Sequence, residues 1–467
     1  MITDQDIREL EEFIGTVKPL YVEIKTNVMA HYPDYAYNHP LFDPKQNIYS
    51  DSTVSKFINQ ISKDDSINFQ NKWNELVNKE DKIYISYDST NKTSDADDID
   101  FVEVGHSKDG PSKPIINYSI AFDTLNSNPL FYEEYPGSIV DVSELKVLLE
   151  KAKAYGYKNM GFILDRGYFS KENIHYMDKN NYDFIIMCKG KKKLVKKLVL
   201  DNKGKFEDKR STYIKNYDVN GITVKAKLFE SDNKDRYFHI YCNPRKYSSE
   251  KAEFNKRLNL LEDNFKKRQG QNITYPESLE EYCYIEYYHK GKEDQVFQCA
   301  SFIDSVIEGE IKTLVYYVII TSSKMTASKA LELYKGRDVS EKLFKADKSF
   351  LGYDSYRVHS DESLVGKSLI EFVALIIRNK LYKKIHDQVL TYTYIPNYMN
   401  VVSAIKEFEK IEIIKGIDNI YRLDHALTKT QKDILKSFDI NTLDINKSVK
   451  KISERLNVKY ITIKRNN

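Results

Sequence analysis

Hydrophobic positions along the 467-residue chain change their period several times, and each change marks a predicted element. Residues 1–80 show helical spacing, including a long helix at 4–29. Residues 81–188 then alternate as three strands followed by helix, strand, helix and strand. The last of these strands, DFIIMC at 183–188, is an unbroken apolar run typical of a strand buried on both faces. The pattern predicts a helical N-terminal region followed by an α/β core with parallel later strands.

The second half of the chain predicts an interruption of this core and a return to it. Residues 189–312 open with the lysine-rich run KGKKKLVKK and continue with strand-like stretches and one helix. Residues 313–390 contain a further core strand, a helix that begins near Thr326 and the apolar segment SLIEFVALII at 368–377, which predicts a buried helix. Residues 391–467 form a mixed tail with a basic end.

Four polar residues of the segment YKGRDVSEKLFKADK have a spacing that places them on one helix face. Tyr334, Arg337, Glu341 and Lys348 fall within an arc of about 60° at 100° per residue. One carboxylate flanked by two cations and a phenol suits a metal-bound phosphate. The alternative is a solvated helix face with ordinary ion pairs.

Two aspartates stand at the ends of predicted strands upstream of this helix. Asp88 ends the run KIYISYD, and Asp165 ends NMGFILD just before Gly167. A strand fixes such a side chain at the sheet edge, where metal-binding carboxylates are common, although a turn-forming or helix-capping role is the alternative. Asp165 and Glu341 lie 176 residues apart, which predicts an inserted domain because an unstructured loop of that length is improbable.

These segments resemble the DDE transposases of bacterial insertion sequences, in the insertion-sequence-four type marked by the Tyr-Arg-Glu-Lys pattern. The matching pieces are YDST (87–90), FYEEYPGSIVDVS (131–143), ILDRGYFS (163–170) and YKGRDVSEKLFKADK (334–348). The resemblance covers roughly residues 80–440 and implies an RNase H-like catalytic core interrupted by a mainly β insertion domain. Such proteins carry a longer segment before the first aspartate. The region before residue 80, with its possible role in DNA-end recognition, is therefore either shortened or begins late in this sequence.

The resemblance also implies a reaction. Asp88 would bridge two Mg²⁺ ions, for which Mn²⁺ can substitute, and Asp165 and Glu341 would each hold one of them. Tyr334, Arg337 and Lys348 would bind DNA phosphates. The implied enzyme, a homodimer on double-stranded DNA, cuts element ends and joins their 3′ ends to target DNA. The residues alone imply only metal-dependent phosphodiester chemistry. A nuclease of the same fold without strand transfer and a non-catalytic DNA-binding relic therefore stay open.

Five further residues have two open interpretations each. Ser89 and Arg166 follow the two aspartates and either orient them or pair structurally. Lys191, Lys192 and Lys193 belong to the lysine-rich run, which either contacts DNA or forms a solvated loop.

Composition narrows the class of protein without deciding the function. A net charge of +3 and 41% hydrophobic residues fit a mildly basic globular chain that permits nucleic-acid binding. The four cysteines form no C-x-x-C pair, so a zinc ribbon is not expected. No signal peptide or membrane-spanning segment is predicted. We expect a cytoplasmic protein with reduced thiols, associated with the nucleoid when on DNA. Its abundant lysine and tyrosine favour an AT-rich bacterial genome as the source.

Overall fold

The computed structural model describes most of the chain. The described residues are 32–33, 48–77, 82–94, 96, 98–105, 114–139, 141–188, 192–290, 294–338, 355–392 and 398–465. The predicted helix 4–29 lies outside them.

Helices and strands alternate through the described residues. The helices are α1 (Asp51–Gln60), α2 (Lys63–Glu75), α3 (Asp141–Ala154), α4 (Lys171–Lys179), α5 (Lys192–Asn202), α6 (Tyr247–Arg268), α7 (Asp304–Ile311), α8 (Ala327–Gly336), α9 (Asp361–Val389), α10 (Val401–Glu409), α11 (Lys429–Lys436) and α12 (Thr442–Arg465). The strands are β1 (Ile83–Thr93), β2 (Glu103–Val104), β3 (Pro114–Asp123), β4 (Asn128–Pro136), β5 (Met160–Leu164), β6 (Asp183–Met187), β7 (Tyr213–Ile214), β8 (Val219–Ala226), β9 (Arg236–Cys242), β10 (Cys283–Lys290), β11 (Asp294–Phe302), β12 (Tyr316–Thr321), β13 (Ile413–Lys415) and β14 (Tyr421–Leu423).

The predicted mixed α/β class is confirmed, and so is the order of elements from β1 to β6, except that the structure adds the short strand β2. The apolar segment 368–377 lies in α9 and is almost entirely buried, as predicted. One prediction was wrong: β1 does not end at Asp88 but continues to Thr93. The residues from Ser89 to Lys92 are polar and therefore have the sequence pattern of a turn. In the structure they are nevertheless buried in the strand. The RNase H-like core and the mainly β insertion stay predictions. None of the described helices is long and apolar enough to cross a membrane.

The chain divides into two compact units. The first comprises residues 1–81, 88–140 and 338–467, and the second comprises residues 82–87 and 141–337. The boundary therefore falls within β1, between Tyr87 and Asp88. The division into five consecutive regions that the sequence suggests stays a prediction.

In the first unit, α9 packs against α1, α2 and β4. Aromatic and aliphatic side chains such as Trp73, Tyr132 and Phe372 form the core around it. The indole Nε1 of Trp73 donates a hydrogen bond to the carbonyl oxygen of Pro129 at 2.7 Å, which ties α2 to β4. Gly366 is required where α9 meets α1, because a Cβ there would lie 2.2 Å from the carbonyl oxygen of Ile58.

A fully buried ion pair lies inside this first unit. The Lys92 ammonium of β1 binds the Glu371 carboxylate of α9, and both side chains are 0% exposed. The same ammonium lies over the rings of Tyr118 and Tyr356, at 4.7 and 5.1 Å from their centroids. Removing two charges from water is costly, so such a pair is stable only while both partners and their polar neighbours are present.

The second unit is built on a mixed sheet in the strand order β1-β5-β6-β12-β9-β8-β7, of which β1 supplies residues 83–87. β1, β5 and β6 are parallel, whereas β12 is antiparallel to β6 and β9. α8 covers one face of this sheet and buries Leu331 against Ile163, Ile185 and Ile319. The Tyr241 hydroxyl donates to the carbonyl oxygen of Ala327 at 2.7 Å and so fixes the start of α8. β10 and β11 form a separate hairpin with a core of their own under α6.

A chain of hydrogen bonds crosses three strands of this sheet through a buried histidine. His239 Nδ1 and Nε2 lie 2.9 Å from Thr223 Oγ1 and 3.0 Å from Thr321 Oγ1, respectively. Thr321 donates its own proton to the carbonyl oxygen of Ser323 at 2.8 Å. Nε2 must therefore carry the proton, and Thr223 donates to Nδ1. Burial lowers the pKa of His239 to about 4, so the ring is neutral at physiological pH.

We expect Glu371→Gln alone to lower the free energy of unfolding by about 3–5 kcal/mol, because it leaves the Lys92 ammonium buried without its carboxylate. Replacing both partners, as Lys92→Met with Glu371→Met, should cost clearly less. Urea unfolding of the wild type and the two variants tests this. A double variant as unstable as Glu371→Gln would show that the unpaired charge is not the cause.

We expect His239 to make the protein less stable as the pH falls. The folded protein keeps this ring neutral to about pH 4, whereas the same group in the unfolded chain gains a proton near 6.5. Between these values the unfolded state binds more protons, so the free energy of unfolding should drop by about 2 kcal/mol from about pH 7 to about pH 5. Urea unfolding should show a weaker pH dependence in His239→Gln, while His359→Gln, at an exposed position, should behave like the wild type. An unchanged pH dependence in His239→Gln would contradict the assignment.

Candidate active site

Asp165 directly follows β5 and caps a short 3₁₀ turn, Arg166–Tyr168, in the second unit. Its carboxylate Oδ1 accepts a hydrogen bond from the main-chain N–H of Arg166 at 2.7 Å. The capping role that the sequence left open is therefore present. The side chain is nevertheless 43% exposed, so capping does not bury the carboxylate.

Arg337, which directly follows α8, forms an ion pair with this aspartate. Arg337 Nη1 lies 2.8 Å from Asp165 Oδ1, and the Arg337 side chain is only 12% exposed. The guanidinium also lies over the ring of Tyr334, 5.1 Å from its centroid. The structure thus brings three of the predicted site residues together in the second unit.

The ion pair determines the charge of Asp165. Partial burial raises the pKa of Asp165, but the Arg337 guanidinium and the Arg166 N–H outweigh it, and the pKa lies below its usual value of 3.8. The carboxylate is consequently ionised at neutral pH. Its second oxygen, Oδ2, accepts no hydrogen bond from any described residue. An ionised, half-exposed carboxylate with an oxygen available suits a hard divalent cation such as Mg²⁺ or Mn²⁺.

Asp88 belongs to the first unit and lies half-buried in β1. Its Oδ1 accepts a hydrogen bond from the N–H of Ser89 at 3.0 Å, the same main-chain contact that Asp165 makes with Arg166. Tyr87, the residue before Asp88, pairs with Leu164, the residue before Asp165, in the parallel register of β1 and β5. Ser89 and Arg166 therefore each contact the preceding aspartate through a main-chain N–H.

Several predicted site residues cannot be placed. Glu341, Lys348 and Lys191 lie outside the described residues. Within the described ranges, no group of three or more histidine, cysteine, aspartate or glutamate side chains is arranged to hold a metal ion. The assignment of these residues to a metal or to DNA stays a prediction.

The lysine-rich run is a helix from Lys192 onward rather than the solvated loop considered from sequence. Leu198 and Val199 are buried, whereas Lys193 is exposed. α5 thus has one face in the protein, and its buried residues Leu198 and Val199 follow the run. A role of Lys192 and Lys193 in DNA contact stays a prediction.

The family of the chain follows from a comparison with known protein families. The family model described as "Transposase DDE domain" matches residues 90–377, more than half of the chain. The chain belongs to this family. The match includes Asp165, Arg337 and Glu341, and it begins two residues after Asp88.

Other comparisons add little. No curated protein matches the chain in sequence. Among solved structures, the chain is similar to the piggyBac transposase in its synaptic complex with hairpin DNA, with 8% sequence identity and a TM-score of 0.30. The similarity covers 80% of this chain and 54% of that one, so this chain spans about half the length of that transposase. A TM-score of this size does not establish a common fold.

We expect Arg337 to compete with a divalent cation for Asp165. Arg337→Ala removes a positive charge from the carboxylate, so Mn²⁺ should bind about tenfold more tightly in the absence of DNA, roughly 1.4 kcal/mol. Isothermal titration with Mn²⁺ measures this. Arg166→Ala, which keeps the main-chain N–H, should have a smaller effect, and adding Asp165→Asn to Arg337→Ala should abolish the gain. Equal or weaker Mn²⁺ binding by Arg337→Ala would contradict the competition.

Proposed function

We propose that this protein is a DNA transposase of the insertion-sequence-four type. It would cut double-stranded DNA at the ends of its element and join the 3′ ends to target DNA. The observation that carries the proposal is the ionised carboxylate of Asp165 at the end of β5, held beside Arg337 within a chain of the DDE family. The Asp165 side chain is 43% exposed, and its Oδ2 accepts no hydrogen bond from any described residue, so a further ligand can reach it.

Asp88, Asp165 and Glu341 are the proposed ligands of two Mg²⁺ ions, with Asp88 shared between them. When bound, the ions would activate the attacking water or 3′-hydroxyl and neutralise charge on the phosphate that is cut. The carboxylate of Asp165 is prepared for this role because it is already ionised at neutral pH. The hydrogen bonds from the N–H groups of Arg166 and Ser89 orient the two aspartates without the need for any particular side chain.

Arg337, Lys348 and Tyr334 are the proposed phosphate-binding residues. The planar guanidinium of Arg337 matches a carboxylate and a phosphate equally well, so Arg337 can exchange Asp165 for a DNA phosphate when substrate arrives. Lys348 would act as a point charge. Tyr334 is only 4% exposed, and the Arg337 guanidinium packs over its ring. The same proposal includes a homodimer on DNA and contacts from the lysine-rich run to the DNA backbone.

We expect Asp88→Asn, Asp165→Asn and Glu341→Gln each to lower Mg²⁺-dependent cleavage of element-end DNA by roughly 100-fold or more, because each removes an anionic ligand. DNA binding should stay close to that of the wild type, since none of these residues is a proposed phosphate contact. Gel assays of cleavage and binding measure both. Asp201→Asn, an exposed aspartate in the same unit as Asp165, is the matched control and should cleave normally.

A strand-transfer assay with DNA whose element ends are already cut distinguishes the proposed transposase from a nuclease and from a non-catalytic relic. A transposase joins such ends to target DNA, whereas a nuclease of the same fold cuts DNA but does not join it. A non-catalytic relic does neither yet still binds DNA. Normal cleavage by any one of the three acidic-residue variants would remove that residue from the site.

A further inference from the structure

A cleft on the sheet of the second unit lies away from Asp165, at the other end of α8. Its volume is about 370 Å³. Residues of β8, of β9 and of the segment that leads into α8 line it. They are Gly221, Ile222, Thr223, Lys225, Tyr237, Lys324, Met325, Thr326 and Ala327.

The cleft carries positive charge without a compensating carboxylate. Lys225 and Lys324 are both exposed, and none of the described residues that line the cleft is acidic. Neither lysine forms an ion pair with any described residue. The ammonium of Lys225 lies over the ring of Tyr237, 5.4 Å from its centroid, which holds the charge at the cleft. Isolated surface lysines are common, but here two line one concave site together with Tyr237 of β9.

The floor of the cleft is rigid and neutral. Thr223 lines the cleft and donates its proton inward to His239, which is 0% exposed. On the other side of the imidazole ring, Nε2 of His239 bonds to Thr321 Oγ1, which completes the chain of hydrogen bonds. Thr223 and His239 thus contribute no carboxylate that would repel an anion. α8 also begins at the cleft, and the dipole at its N-terminal end makes a smaller contribution to the binding of negative charge.

We propose that this cleft binds a phosphate group of a DNA strand, with Lys225 and Lys324 as the cationic contacts. Compact ammonium groups suit a phosphate, and an adjacent aromatic ring is typical of nucleic-acid grooves. The choice of DNA over free phosphate as the source rests on the proposed function. The cleft is distinct from the Asp165 site, because it lies at the start of α8 whereas Arg337 follows its end.

The test compares two double variants that remove the same charge. Lys225→Gln with Lys324→Gln should weaken binding of duplex DNA about tenfold and lower the log–log salt slope by about one unit, because one phosphate contact is lost. Lys256→Gln with Lys267→Gln, at two exposed positions on α6 in the same unit, should change binding far less. Fluorescence anisotropy over a range of salt concentrations gives both quantities. Equal losses in the two double variants would show only a general charge effect and would overturn the proposal.

Chemical acetylation of lysines in the wild-type protein, followed by mass spectrometry, shows which lysines an added ligand protects. Comparing DNA with inorganic phosphate then tests the source of the phosphate group. DNA should protect Lys225 and Lys324 but not Lys256 or Lys267. Protection by inorganic phosphate but not by DNA would overturn DNA as the source. Normal DNA cleavage without protection of the cleft lysines would refute this inference and leave the proposed function intact. Failure of the wild type to bind or cleave DNA would refute the proposed function instead.

Discussion

The ion pair between Arg337 and Asp165 is the interaction on which the candidate site depends. It joins the end of α8 to the end of β5, two points separated by 172 residues of chain. Because the pair lowers the pKa of Asp165, it also keeps the carboxylate ionised. The same contact therefore has two consequences: it fixes a catalytic candidate in position, and it places a positive charge where a divalent cation would bind. If Arg337 binds a DNA phosphate as proposed, that contact would relieve the competition and would couple DNA binding to metal binding.

Buried polar groups determine how each unit is held together. In the first unit, the pair of Lys92 and Glu371 links β1 to α9 in the interior. In the second, His239 links β8 to β12 through two threonines, and Tyr241 anchors the start of α8. Such groups are costly to bury unless every partner is present, so they favour one arrangement of strands and helices over alternatives. The functional candidates therefore rest on elements whose positions are strongly specified.

α8 has a different functional candidate at each end. Its C-terminal end leads into Arg337, which meets an ionised carboxylate. Its N-terminal end faces the cleft of Lys225 and Lys324, where none of the described lining residues is acidic. The polarity of a helix suits this arrangement, because the N-terminal end favours anions and the C-terminal end favours cations. Tyr241 and Leu331 fix the helix on the sheet between the two ends.

The sequence by itself determined the order of the elements. Its periodicity located the strands ending at Asp165 and Met187, the buried helix around Phe372 and the start of α8, since apolar spacing directly reflects which faces are buried. The resemblance to the DDE family named Asp165, Arg337 and Tyr334 as candidates for one site, and the structure brings these three side chains together. By contrast, the sequence does not indicate that β1 continues beyond Asp88, because Lys92 has the character of a surface residue unless Glu371 is known to face it.

Only the tertiary structure decided which charges meet. No local signal in the sequence pairs Arg337 with Asp165, because the contact depends on where α8 lies over the sheet rather than on residue spacing. The cleft of Lys225 and Lys324 is invisible in the sequence for the same reason, since its two lysines come from segments almost a hundred residues apart. The local pattern of apolar and polar residues indicates which positions are buried and whether the segment is a helix or a strand. Which charged side chains meet depends on long-range packing, which one sequence does not reveal.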